Sequence, residues 1–153
     1  MSLEDLTAMV RVLDFVENLP SDKVTIGVVY ETDQPEGKAA AVEVARSLNA
    51  LQDVSTRRLQ AAPVAVSDLA NLPKVDALFL LPGLADTRSG ALAETARRQH
   101  LVTLSNDPGC LARHDCTVFV EVGPQTQVTI DLAQSNASGI RFSMIFLMMV
   151  KKT

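Results

Sequence analysis

KVTIGVVYE, residues 23–31, decides the fold class. It is a β-branched, apolar run with neither face clearly polar. A strand with one wet face alternates, whereas a strand without a polar face is covered on both sides, as in a parallel sheet. VDALFLLP (75–82) repeats the pattern, and HLVTLS (100–105) supplies a third buried strand. Helix-compatible stretches lie between these runs. Alternating β and α elements predict a mostly parallel sheet with helices on both faces.

Outward from these strands, EDLTAMVRVLDFVE (4–17) places Leu6, Met9, Val10, Leu13 and Val16 on one helical face, with Glu4 and Asp5 at its positive end. Asn18-Leu19-Pro20 stops this helix, because the residue before proline avoids the α region. KAAAVEVARSLNALQ (38–52) reads as a helix with Ala41, Val44, Ala45, Leu48 and Leu51 inward. VSTRRLQAA (54–62) alternates weakly, as an edge strand would. VAVSDLANL (64–72) is ambiguous, with Ser67 a candidate cap for a short helix and Asp68 in its first turn. A helix follows Gly83, with Asp86 or Thr87 near its start and Arg97-Arg98 in its last turn. TVFVEV (117–122) and QVTIDLA (127–133), joined through GPQ, predict a hairpin. SNASG then breaks the pattern before a final helix, IRFSMIFLMMV (140–150), apolar nearly all round. The expected architecture is a single three-layer, Rossmann-like α/β domain over residues 1–153, with a C-terminal antiparallel hairpin plus helix.

Composition narrows the function. The chain is 47% hydrophobic with no tryptophan, so its core is built from Ala, Val, Leu and Ile. Its net charge is −4, and no Lys/Arg cluster exceeds a pair. Nucleic-acid binding needs a basic face to release counterions, which argues against that role. No segment reaches the roughly 18–20 apolar residues that span a bilayer, so the chain is not expected to cross a membrane. No signal peptide is visible; Met1-Ser2-Leu3 reads as a cloning scar in place of a removed leader.

Catalytic and cofactor motifs are not found. The loop after the first strand, ETDQPEGK, is acidic with one glycine and would repel a pyrophosphate. There is no GxSxG elbow. Thr32, Gly83, Ser105 and Asp107 fall at strand ends, where open sheets bind ligands. The densest chemistry is SNDPGCLARHDCTVFVEV (105–122), which holds Cys110, His114, Asp115 and Cys116. Structural zinc usually takes four ligands in two separated pairs, and here adjacent His and Asp would both have to turn inward. Catalytic thiols usually rely on a histidine from elsewhere in the fold. Asp107-Pro108-Gly109 turns the chain, and the Cys spacing allows a bridge if the loop folds back. Two buried reduced thiols remain the alternative. No metal, cofactor or catalytic residue is expected.

The carboxyl-terminal third resembles the YfiR/HmsC-like family. Leu104, Asp107, Pro108 and Gly109 of LVTLSNDPGC match a family turn reading like LTVGDxPGF. In VTIDLAQSNASGIRFSMIFLMMVKK (128–152), Ile130, Leu132, Ala133, Gly139, Ile140 and Ser143 fall where a strand ending in INL and a helix like ARRAGLRISSKLLRLA expect similar residues. The opening helix, KVTIGVVYE and VDALFLLPG are similar to family elements. Asn106, His114-Asp115, Phe146, Met148 and Met149 depart from the pattern.

The resemblance implies a bridge between Cys110 and Cys116, since some members carry a cysteine pair in this loop. A second bridge known in the family has no cysteines here. It further implies a non-enzymatic periplasmic protein that binds the periplasmic sensor region of an inner-membrane diguanylate cyclase, lowering cyclic-di-GMP output and biofilm formation. A homodimer is compatible with that reading. Phe142, Ile145, Phe146 and Met149 of the final helix are the candidate partner contacts, the alternative being that this apolar helix is simply buried. The alternative is a small-molecule-binding domain resembling half of a type I periplasmic binding protein of an ABC transporter, with its pocket near Thr32, Gly83 and Ser105.

Overall fold

A computed structural model describes residues 1–72, 74–84 and 86–153, without the side chains of residues 70 and 86–89. One sheet holds β1 (Lys23–Tyr30), β2 (Arg58–Ala65), β3 (Ala77–Leu80), β4 (Val102–Ser105), β5 (Val118–Glu121), β6 (Gln127–Ile130) and β7 (Lys151–Lys152). Its order is β2-β1-β3-β4-β5-β6-β7. Pairing is parallel from β2 through β5, antiparallel between β5 and β6, and parallel again between β6 and β7. The helices are α1 (Leu3–Leu13), α2 (Pro35–Ala50), α3 (Asp86–Gln99), α4 (Gly109–Ala112), α5 (Leu132–Ala137) and α6 (Met144–Met149), with a 3-10 turn at Val66–Asn71.

The two-sided burial read in the central strands is present. Successive strand side chains point to opposite faces. Ala77 and Phe79 of β3 join a core with α1, α2 and the C-terminal segment, whereas Leu78 and Leu80 join a second core with Leu92 and Ala96 of α3. Strand β5 splits the same way, Val118 and Val120 to the first core and Phe119 to the second. The expected mixed α/β fold, mostly parallel sheet and β5-β6 hairpin are all found.

Several local expectations shift. Helix α1 stops at Leu13 rather than residue 17, because the next backbone groups are taken elsewhere: Glu17 N donates to Arg141 O at 2.7 Å, and Ser143 N donates to Phe15 O at 2.9 Å. Val16 is still buried, paired with Phe142 in an isolated antiparallel bridge. Ser2 and Asp5 form a reciprocal capping box at the start of α1. Helix α2 begins at Pro35, where proline's fixed φ suits a first turn, and ends before Leu51, which is only half-buried. The edge strand β2 starts later than expected and includes Pro63, which an edge tolerates. Ser67 does not cap the 3-10 turn; Ala65 precedes it and no side chain caps it. Asp68 does lie in its first turn. His100 does not lead a strand; it has φ 58° between α3 and β4. Arg97 and Arg98 sit in the last turn of α3 as expected, while the roles expected of Asp86 and Thr87 lie outside the described side chains.

The largest correction is the final helix. In place of one element over 140–150 there are α5 and the six-residue α6, followed by β7. Ser135, Asn136 and Ala137 are helical rather than a break. Gly139, at φ 69°, ends that turn; a Cβ there would sit 3.0 Å from His100 Nδ1. Residues 140–142 are then drawn out to meet residues 15–18, so the helix restarts only after Ser143, whose hydroxyl accepts from Phe146 N at 3.3 Å.

Arg57 ties the first helix to the sheet. Its guanidinium donates to Pro20 O (2.8 Å), Leu13 O (3.1 Å) and Val16 O (3.3 Å), with Asp14 Oδ1 at 3.6 Å. Three carbonyls at a helix exit thus share one cation. Arg57→Ala leaves them with no charged donor, and the expected loss is about 2–4 kcal/mol. Urea denaturation checks this; a loss below about 0.5 kcal/mol contradicts the assigned role.

Candidate functional site

The loop that gathers the chain's only two cysteines follows β4. Ser105 Oγ donates to Leu80 O at 3.0 Å and accepts from Asp107 N at 3.0 Å. Asp107 Oδ1 accepts from Gly109 N at 3.0 Å, closing an Asx-type turn around Pro108. Cys110 and Cys116 are joined in a disulfide, with Cα atoms 5.5 Å apart. Both are buried, in the second core beneath Leu78 and Leu80.

Between the cysteines the charged side chains are committed. Arg113 Nε donates to Asp115 Oδ2 at 2.7 Å, and its other end lies 3.5 Å from Asp107 Oδ2. The hydrogen bond to buried Asp115 holds the guanidinium's pKa above its ordinary value, against the opposing cost of burial. His114, at φ 57°, turns out of the loop and places Nδ1 2.9 Å from Asp131 Oδ2. Asp131 Oδ1 meanwhile accepts from Gln134 N at 3.0 Å, capping α5. One buried carboxylate therefore joins the clasped loop to the C-terminal segment. Sequence reading missed it, although an Asp just before a helix is a recognisable cap signal.

This arrangement separates the members of the Cys-His-Asp-Cys cluster. Bridged sulfurs have no thiolate to offer as nucleophile or ligand. Asp115 faces Arg113 and His114 faces Asp131, so they do not converge on one point.

Of the expected strand-end residues, Ser105 and Asp107 share one crevice among the described residues. Thr32 Oγ1 accepts from Ser67 N at 3.1 Å. Gly83, at φ 94°, forms an exposed turn. Ser105 is buried and Asp107 half-buried. The crevice lined by Leu80, Leu84, Ser105, Asp107, Cys110 and Arg113 measures about 10 Å³, barely one water.

A roomier feature lies on the opposite face. A groove of about 440 Å³ runs between α1, β6 and α6, floored by Ala8, Val12, Phe15, Val128 and Phe146. Leu3, Glu4, Thr7, Arg11 and Thr126 complete its walls. Phe15 and Phe146 stack with ring centroids 4.7 Å apart, and Phe142 sits 5.5 Å from Phe146. Of the four expected partner contacts, Phe142 and Phe146 are buried in the first core, Phe146 also lining this groove. Ile145 and Met149 are exposed, and Met149 lines a hollow that shares Thr126 and Val128 with the groove. No helix among the described residues is long and apolar enough to cross a membrane.

Replacing Cys110 and Cys116 together by Ala is expected to cost about 2 kcal/mol, since the closed ring is small. The loop's turn and the Arg113 ion pairs stay in place without the bridge. A drop in urea stability well above about 4 kcal/mol would show that the bridge supports the whole second core.

Comparison with solved structures finds a likeness to a conserved domain protein from Vibrio cholerae O1 biovar El Tor str. N16961. The TM-score is 0.61 at 14% identity, covering 99% of this chain and 59% of that one. This supports the fold; the chain spans somewhat less than two thirds of that protein's length. No curated protein matches the chain. The sequence pattern of the YfiR/HmsC-like family, known for periplasmic regulation of diguanylate cyclases and regulatory rather than catalytic, matches residues 11–151. The chain belongs to the YfiR/HmsC-like family.

Proposed function

We propose that this chain is a non-enzymatic periplasmic protein that holds a membrane-bound diguanylate cyclase inactive by binding its periplasmic sensor domain. The observation that carries the reading is family membership over residues 11–151. The Cys110–Cys116 bridge fits an oxidising compartment. Repression then follows from population shift: a partner that binds only the inactive cyclase draws the equilibrium toward it.

The groove between α1, β6 and α6 is the docking face in this reading. Its floor is apolar, and Glu4 and Arg11 stand on its walls. That pairing of an apolar centre with a polar rim suits a protein segment. The small-molecule alternative gains little from the described residues at the strand ends, where the crevice holds about 10 Å³.

The test mixes the full chain with the purified periplasmic domain of a membrane diguanylate cyclase from the same genome and measures binding by calorimetry. A one-to-one complex is expected. Ala8→Arg, which fills the groove from α1, should weaken it at least tenfold. Gln60→Arg, exposed on the far edge strand, should leave it unchanged. Absence of any complex, both oxidised and reduced, sinks the reading.

A further inference from the structure

Helix α6 carries a surface that the groove does not use. Met144, Ile145, Met148 and Met149 are 75%, 71%, 79% and 67% exposed. They stand at positions i, i+1, i+4 and i+5, so they form one contiguous stripe on the outer side of the helix. Phe146 holds the inner side through its stack on Phe15. The stripe is therefore presented by an anchored element.

Charge says what covers it. The chain is acidic overall, at −4, yet residues 132–153 contain Arg141, Lys151 and Lys152 and no Asp or Glu. All three cations are exposed. Glu17 lies beside Arg141 through backbone pairing, which leaves the two lysines as the cationic end of the stripe. Lys152 Nζ donates to Leu147 O (2.6 Å) and Val150 O (3.1 Å), fixing one positive charge at the carboxyl end of α6. Protruding apolar side chains beside lysines match the chemistry of an anionic lipid surface, where the apolar groups enter the headgroup boundary and the cations meet phosphate. Protein interfaces also favour methionine but are depleted in lysine, so the lysines at the end of the stripe favour the lipid surface. The stripe has no aromatic residue; Met149 borders a hollow with Lys151, and Met144, Ile145 and Met148 project.

We propose that the Met144–Ile145–Met148–Met149 stripe, with Lys151 and Lys152, is a peripheral contact for an anionic phospholipid surface. This does not depend on the cyclase reading, because the site is complete in the chain itself. Binding is weak and reversible, since the apolar area is one short helix face.

The test is co-flotation of the full chain with vesicles, either phosphatidylcholine alone or phosphatidylcholine with one third phosphatidylglycerol. The protein should float with the anionic vesicles at low salt and be released as salt rises. Lys151→Glu should weaken binding by at least about fivefold. Ile145→Glu with Met148→Glu should abolish it with the thermal transition unchanged, as both positions are exposed. Three outcomes overturn the proposal: no flotation at low salt, equal flotation with both vesicle types, or anionic binding that survives Ile145→Glu with Met148→Glu. A fourth does so by reassigning the stripe: no vesicle binding, with the same variant losing the cyclase domain or dissociating a dimer in light scattering.

Discussion

The C-terminal half of the functional surface depends on one short antiparallel meeting of chain segments far apart in sequence. Residues 15–18 leave α1 and pair with residues 139–143. Glu17 N bonds Arg141 O, Ser143 N bonds Phe15 O, and the Asn18 amide bridges Gly139 O and Arg141 N. This pairing leads α6 across the end of α1, where Phe146 packs on Phe15. The Phe15–Phe146 stack and the groove beside it exist because these backbones are held in register. The pairing also explains why α1 ends early and why the last apolar run is not one helix.

The sheet divides the molecule into two compartments with different tasks. One core, containing α1, α2 and Phe142 and Phe146, backs the groove and the exposed stripe. The other, containing α3 and both cysteines, backs the clasped loop. Strands β3 and β5 serve both, and Asp131 ties the clasped loop to the C-terminal segment by capping α5 while receiving His114. The exposed surface features thus rest on packed elements rather than on free loops.

Much of this was legible in the sequence. The runs at 23–31 and 75–82 had no polar face, and that alone required helices on both sides of the sheet. The hairpin was visible because a Gly-Pro turn separates two alternating runs. Contacts between distant segments were not legible. Nothing local marks Arg57 as the cation for three carbonyls of the α1 exit, and the apolar run at 140–150 has helical composition throughout. Propensity yielded there to tertiary pairing with residues 15–18. The disulfide was permitted by spacing and implied by the family likeness. The commitment of His114 to Asp131 needed coordinates, because it depends on how the loop meets α5. The placement of Phe142 and Phe146 inside, with Ile145 and Met149 outside, needed them too, since a helix apolar all round hides which side is covered.

The bridge between Cys110 and Cys116 lies in one core, while the groove opens on the other. Any influence of one on the other passes through the sheet, whose strands β3 and β5 line both cores. Such an influence is reciprocal by thermodynamic necessity. Whatever factor the closed ring adds to affinity in the groove, an occupant of the groove returns to the ring as resistance to reduction. A partner bound there would then act as guardian of the thiols' oxidation state, and the same partner's departure would leave the ring easier to open.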